Sequence, residues 1–197
     1  MSISEKDITA VILAGGQGRR MGGQDKGLIE FDGQSLVAIL IDRLESQISN
    51  IMINANRNCE RYLAFGYPVV SDQLGDYQGP LAGFACAMNA VDTDFILTLP
   101  CDGPLLAADY VARFIASQAK TGAPICVADD GERLQPVHAL IRIDLLSSLN
   151  AYLDSGDRKI DHWYAMHDFA HTDFSDCAGM FRNINTPSDQ QSMLAHP

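Results

Sequence analysis

The chain has 197 residues, 47% hydrophobic and 20% charged, with 25 Asp and Glu against 14 Lys and Arg for a formal net charge of −11. A chain this long buries roughly 70% of its unfolded surface in one core, so disorder and collagen-like repeats are excluded and a globular domain is expected. The acidity excludes a long nucleic-acid footprint, whose affinity comes from Lys and Arg on phosphates, and a function that binds anions must therefore gather positive charge locally.

The elements follow in chain order. Glu5, Lys6 and Asp7 stand where a signal peptide would be apolar, and no apolar run reaches the roughly 18 residues of a membrane span, so a soluble, cytoplasmic protein with no membrane partner is expected. Residues 8–13 (ITAVIL) form a short β-branched run that stops at Gly15-Gly16, the pattern of a fully buried strand feeding a loop. Leu36, Ile39, Leu40, Leu44 and Ile48 recur at helical spacing and predict a helix over 35–48 with Ser35 as N-cap. Strands are predicted at 51–55 and 67–71, with a short helix over 59–65 between them. A small-residue helix over 80–91, with Pro80 near its first position, precedes a strand over 94–99. A helix over 107–120 and a strand over 123–128 complete the regular part.

Beyond Asp129 the pattern loosens. Asp130-Gly131 is a turn signal, residues 136–142 read as a strand on which Pro136 implies an end or an edge, and 144–153 read as a helix. Strands alternating with helices of ten or more residues predict an α/β fold: one three-layer domain over 1–197 with a mostly parallel sheet and right-handed crossovers. Five cysteines make an odd count without a C-x-x-C pair, so free buried thiols are expected rather than disulfides or zinc. His162, His167 and His171 are spaced by five and four, which does not place all three on one helical face as a zinc site would require.

Ligands of open α/β sheets bind beyond the carboxyl ends of the strands. At the end of the first strand, residues 13–27 hold six glycines with three cations and one carboxylate, a local charge of +2 in a chain of −11. Glycines let backbone N–H groups approach an anion and the cations supply charge, as a polyphosphate requires. Two familiar phosphate loops are excluded by spacing. Met21 stands where a dinucleotide fingerprint needs glycine, and Gln24 stands where a Walker loop needs lysine. At the end of the 94–99 strand, Asp102 is held in Pro100-Cys101-Asp102-Gly103-Pro104, a candidate Mg²⁺ ligand because Mg²⁺ takes one or two carboxylates together with substrate phosphates and water.

LAGG-x-G-RRMGG-x-DKG from Leu13, NANRN at 54–58, GPLAG at 79–83, PCD at 100–102, GERLQP at 131–136 and NINTP at 183–187 together resemble the molybdenum cofactor guanylyltransferases. The resemblance runs from about Ile8 to Gln191 and implies a Rossmann-like nucleotidyltransferase fold. It implies transfer of GMP from GTP to the terminal phosphate of molybdopterin, with Mg²⁺ as cofactor and release of pyrophosphate. Leu13, Ala14 and Gly15 would then line the GTP site, Arg19 and Lys26 meet the phosphates, Asn54 and Asp72 hold the nucleoside, and Asp102 bind Mg²⁺. Arg19, Lys26 and Asp102 would carry catalysis, and Asp25 either adds a second metal ligand or orients Lys26.

Gly79, Gly83, Arg158, Asn183 and Asn185 match positions on the molybdopterin side. For Gly79 and Gly83 helix packing is an equal reading, and for Arg158 with Lys159 a solvated pair. Trp163 and Tyr164 are expected in the core rather than stacked on a pterin. A GTP-binding half at about 8–105 and a molybdopterin-side portion at about 129–190 follow, with other molybdenum-cofactor-handling proteins and apo-molybdoenzymes as partners. Gly103 stands where guanylyl-transferring relatives have Thr and cytidylyl-transferring ones Met, so that position is silent on the base. Alternatives are a CTP-dependent molybdopterin cytidylyltransferase, a sugar-phosphate nucleotidyltransferase, or a non-catalytic GTP-binding protein that delivers cofactor.

Overall fold

The computed structural model describes residues 3–16, 23–72 and 79–195. Strand β1 (Ile8–Leu13) is followed by a two-stranded hairpin, β2 (Glu30–Phe31) and β3 (Gln34–Ser35), then α1 (Leu36–Glu45), β4 (Ile51–Asn54), α2 (Cys59–Leu63) and β5 (Val69–Val70). Next come α3 (Pro80–Ala90), β6 (Phe95–Pro100), α4 (Tyr110–Thr121), β7 (Ile125–Asp129) and β8 (Leu134–Arg142). The chain closes with α5 (Leu146–Asp154), α6 (Ile160–Tyr164), β9 (Phe169–Asp173) and α7 (Pro187–Ala195).

Seven strands form one sheet in the order β5-β4-β1-β6-β8-β7-β9, parallel except that β8 runs antiparallel to both neighbours. Alternation along the strands splits the core into two layers. Ile8, Ala10 and Ile12 of β1 and Phe95, Leu97 and Leu99 of β6 pack against α1, α2 and α4 on one face. Val11 and Ile96 face the other way, toward α3, α5 and α6. This is the three-layer α/β architecture expected from the alternation of strands and helices. Trp163 and Tyr164 are fully buried in the second layer, where the Tyr164 hydroxyl donates to the carbonyl of Pro136 at 2.8 Å. No helix among the described residues is long and apolar enough to cross a membrane. All five cysteines are free.

Three expectations are corrected. The strand containing Pro136 begins at Leu134 and lies in the interior of the sheet, not at its edge. Proline is tolerated there because the β7 pairing shifts register between Val127 and Ala128, while β6 pairs only with residues 139–142, so the absent N–H falls outside both ladders. The region beyond Asp129 is also more regular than expected, since β9 extends the sheet and α6 and α7 are helical. Finally, several elements are shorter than predicted: α1 stops at Glu45 and β5 is only Val69–Val70.

Among the polar side chains buried in this sheet, one is a titratable imidazole. His138 of β8 lies 3.1 Å from the Tyr110 hydroxyl with the Phe181 ring on its edge, and burial pushes its pKa down to about 3. The imidazole is neutral in the folded chain, whereas in the unfolded chain it titrates near 6.5. Below pH 6.5 the unfolded state therefore takes up a proton that the native state refuses, and stability falls by about 1.4 kcal/mol per pH unit until pH approaches the folded value. His138→Gln should accordingly show a shallower decline of the thermal midpoint between pH 6 and pH 4 than the parent chain. Equal slopes in the two proteins would remove His138 from this account.

Candidate active site

Because β1, β4, β5, β6, β7 and β9 are mutually parallel, their carboxyl ends lie along one rim, joined there by the β7–β8 hairpin. The rim's centre is set by β1 and β6, paired so that Leu13 stands opposite Pro100. One further bond, from the Cys101 N–H to the Leu13 carbonyl at 3.1 Å, carries the pairing into the turn that presents Asp102. Ala14 is tied on the other side to the carbonyl of Asn54 at 2.8 Å.

Asp102 and Lys26 meet on this rim. The Lys26 ammonium donates to Asp102 Oδ2 at 2.8 Å and to the side-chain oxygen of Asn185. Asp102 is buried, and its second oxygen, Oδ1, is fully enclosed without a hydrogen-bond partner among the described residues. A buried carboxylate oxygen left without a donor is costly unless a cation or another donor takes it, so the group suits a hard divalent metal that also binds substrate oxygens. Among the described residues no cluster of three or more His, Cys, Asp or Glu accompanies it. Burial and the neighbouring Asp102 carboxylate raise the thiol pKa of Cys101, beside it in the chain, and favour the protonated thiol.

The third member, Asn185, comes from the other end of the chain. The Ile184 N–H donates to the Asp102 carbonyl at 2.8 Å, docking the NINTP segment on the Asp102 turn. The Asp189 carboxylate accepts from the backbone N–H of Asn185 and of Thr186 at 2.9 and 2.8 Å, while Thr186 Oγ1 accepts from the Asp189 N–H at 3.2 Å. Thr186-x-x-Asp189 thus works as a capping box with Pro187 inside it, and the same carboxylate that starts α7 aims Asn185. Asn183 faces the turn as well: a Cβ added to Gly103 would sit 3.2 Å from its Oδ1.

Beside this group, Asn54 Nδ2 donates to Asp72 Oδ1 at 2.9 Å and Asn56 Nδ2 to Asp72 Oδ2 at 2.7 Å, with the Asp72 N–H returning to Asn56 Oδ1 at 2.8 Å. The Asn54 side chain is buried and leaves no room behind it. A Cβ on Gly83 would meet Asn54 Oδ1 at 2.6 Å and Leu13 Cδ2 at 3.0 Å, and one on Gly15 would meet Asn56 Nδ2 at 2.9 Å. Gly83 therefore takes part in the packing of α3 under Asn54. Gly79, at the N-terminus of α3, has φ of 80°, a left-handed conformation that favours glycine.

Asp25 is buried. It accepts from the Tyr62 hydroxyl and from Asn58 Nδ2 at 2.9 Å, with Arg57 Nε 3.6 Å from the same oxygen, while Lys26 donates to Asp102 and Asn185. Its bond to Tyr62 and burial raise the tyrosine's pKa and keep that hydroxyl a donor. Arg158 is placed elsewhere: its guanidinium donates to the carbonyls of Leu153 and Asp157 at 2.7 and 2.6 Å, at the C-terminal end of α5, which packs on α3. His162, His167 and His171 have separate partners in Asp157, Ser148 and Asp129. Arg19 lies outside the described residues.

Arg57, Asn56, Tyr62 and Asp189 were not singled out in the sequence. Arg57 and Asn56 sit inside NANRN, and the Thr186-x-x-Asp189 spacing is a readable capping signal. Gly83→Ala should displace Asn54, destabilise the fold by about 1–3 kcal/mol as other overpacked sites are, and weaken nucleotide binding. Urea unfolding and a binding titration on the same variant check both, and an unchanged unfolding midpoint would contradict the packing role.

Comparison with known proteins identifies the family and the fold. A model of the MobA-like NTP transferase domain matches residues 10–171. A molybdenum cofactor guanylyltransferase of Shewanella sediminis (strain HAW-EB3) is 50% identical over 186 residues, covering 94% of this chain and 95% of its own. Two solved structures share the fold at low identity. Molybdopterin-guanine dinucleotide biosynthesis protein A from Archaeoglobus fulgidus superposes with a TM-score of 0.76 over 93% of this chain and 95% of that chain, at 18% identity. Rv0371C from Mycobacterium tuberculosis H37Rv, solved in complex with manganese, does so with a TM-score of 0.70 over 96% and 99% of the two chains, at 16% identity. With the family model spanning most of the sheet and a near full-length relative at half identity, the chain belongs to the MobA-like NTP transferase family.

Proposed function

We propose that the chain transfers GMP from GTP to the terminal phosphate of molybdopterin, forming the guanine dinucleotide form of the cofactor and releasing pyrophosphate. The choice of base and acceptor follows the 50% identical relative that carries the name molybdenum cofactor guanylyltransferase. The observation that carries the chemistry is the enclosed Asp102 Oδ1, unpartnered among the described residues, beside the Lys26 ammonium where β1 and β6 end together.

In this reading a phosphate oxygen of molybdopterin attacks the α-phosphorus of GTP, a new P–O bond forms, and the bond from the α-phosphorus to the bridging oxygen of pyrophosphate breaks. The attacking phosphate monoester is mostly ionised at neutral pH, so no Ser, Cys or His has to be activated. What the protein supplies is alignment of two anions and compensation of charge on the α-phosphate and leaving group. Lys26 has three N–H donors, of which Asp102 and Asn185 take two, and the ammonium stands ready for a phosphate oxygen. Asp102 would hold Mg²⁺ through Oδ1; when bound, the metal neutralises phosphate charge. Asn54 and Asp72 would hold the nucleoside, Leu13, Ala14 and Gly15 would line it, and Arg19 would join Lys26 on the phosphates. Gly79, Asn183 and Asn185 would face the acceptor, as would Arg158 only if α5 and α3 border the pterin. Other cofactor-handling proteins and apo-molybdoenzymes would receive the product.

The test is pyrophosphate release by the full chain with molybdopterin and Mg²⁺, offering GTP, CTP, ATP and UTP in turn, followed by identification of the base in the product. GTP should be the substrate. Release from CTP alone would replace the reading with cytidylyltransfer, and binding without release would replace it with cofactor delivery. Lys26→Ala and Asp102→Ala should each lower release at least about a thousandfold, the scale for losing a key electrostatic group in a site, while the thermal midpoint shifts little. Near-normal release by either variant would remove that residue from the chemistry.

A further inference from the structure

One guanidinium on the rim touches neither Lys26 nor Asp102, yet it holds both ends of the glycine loop. Arg57 Nη2 donates to the Gly16 carbonyl at 3.3 Å and to the Gln24 carbonyl at 2.8 Å, and Nη1 donates to the Gly23 carbonyl at 2.7 Å. Gly16 lies three residues after β1, and Gly23-Gln24 lie two residues before Lys26, so in sequence these carbonyls bracket residues 17–22. We propose that Arg57 is a positioning residue for nucleotide binding: it ties Gly16 to Gly23 and Gln24 and turns the peptide N–H groups of Gln24 and Asp25 toward the triphosphate. This rests on the reading that a nucleoside triphosphate binds at that loop.

The geometry follows from the peptide unit. C=O and N–H of one trans peptide point in opposite directions, so capturing the carbonyls of Gly23 and Gln24 on the guanidinium directs the N–H groups of Gln24 and Asp25 away from it. Arg57 is itself aimed by its neighbours. Asn58 adopts a left-handed φ of 51°, turning the chain sharply between β4 and α2, and its side chain joins Tyr62 in holding Asp25 close to Arg57. The Asp25 carboxylate offsets the charge of Arg57, so the contribution is shape rather than added positive charge. Shape is also why lysine cannot substitute: a planar fork with five donors reaches three carbonyls, whereas an ammonium is a compact point charge.

The experiment uses the full chain and measures calorimetric binding of GTP and of GMP in the presence of Mg²⁺, together with pyrophosphate release. Arg57→Ala should weaken GTP binding at least about tenfold, the effect of losing hydrogen bonds made by a charged donor, while GMP, which lacks the two phosphates leaving as pyrophosphate, changes far less. Arg57→Lys should not restore GTP binding, and added guanidinium ion should partly restore it in the alanine variant. GTP binding unchanged in Arg57→Ala, full recovery in Arg57→Lys, or equal loss for GTP and GMP would each overturn the proposal. If the parent chain binds GTP but releases no pyrophosphate with molybdopterin, the guanylyltransfer reading fails and the binding comparison still decides the role of Arg57. If the parent chain binds none of GTP, CTP, ATP and UTP, the proposal is overturned as well.

Discussion

The structure depends on the register between β1 and β6. These two strands lie side by side over their whole lengths, and the ladder ends with Leu13 beside Pro100. That pairing brings the start of the glycine loop and the Asp102 turn to the same point on the rim, although they stand 89 positions apart in sequence. A slip of one residue would turn Ile8, Ala10 and Ile12 to the wrong layer, so the packing of two hydrophobic faces fixes the position of a polar site. Everything else on the rim is attached to this junction: Asn54 through Ala14, Asp72 through Asn54, and the NINTP segment through the Asp102 carbonyl.

Buried strands and amphipathic helices were legible because their physics is local. β1 and β6 are continuous apolar runs, and α4 shows a clear helical period, so their places could be read from spacing alone. The hairpin at residues 30–35 carried an equally local signal, Asp32-Gly33, whose φ values of 49° and 82° are those a tight hairpin turn demands. Its strands are only two residues long, too short for any alternation to announce them. Pro136 misled for a different reason. A missing N–H is incompatible with a ladder, but whether the ladder needs that N–H depends on the register slip in β7, which sequence spacing does not reveal.

The candidate site divides in the same way. Lys26 and Asp102 were readable because a cation in a glycine loop and a carboxylate between prolines are unusual locally, and the structure joins them at 2.8 Å. Asp25 and Gly83 were ambiguous because their meaning lies in what stands opposite. Asp25 looks like an active-site acid beside a catalytic lysine, yet its oxygens are taken by Tyr62 and Asn58 from across the loop. Gly83 looks like a place for a ligand to approach, yet Asn54 already fills the space where a side chain would go. Net charge was informative in the reverse sense: against a total of −11, Lys26 and Arg57 on the rim are a local exception, each held by chosen partners.

The contact between Lys26 and Asn185 spans 159 positions along the chain. Asn185 is aimed by the first turn of α7, so the group around the lysine is closed by a segment made 83 positions after Asp102. During synthesis the glycine loop and the Asp102 turn can pair through β1 and β6 long before Asn185 exists. The nascent protein therefore has its fold's centre well before it has a finished site. Completion of the rim waits on the NINTP segment, and a stop before Asn185 would leave the lysine with Asp102 but without the second of these two partners.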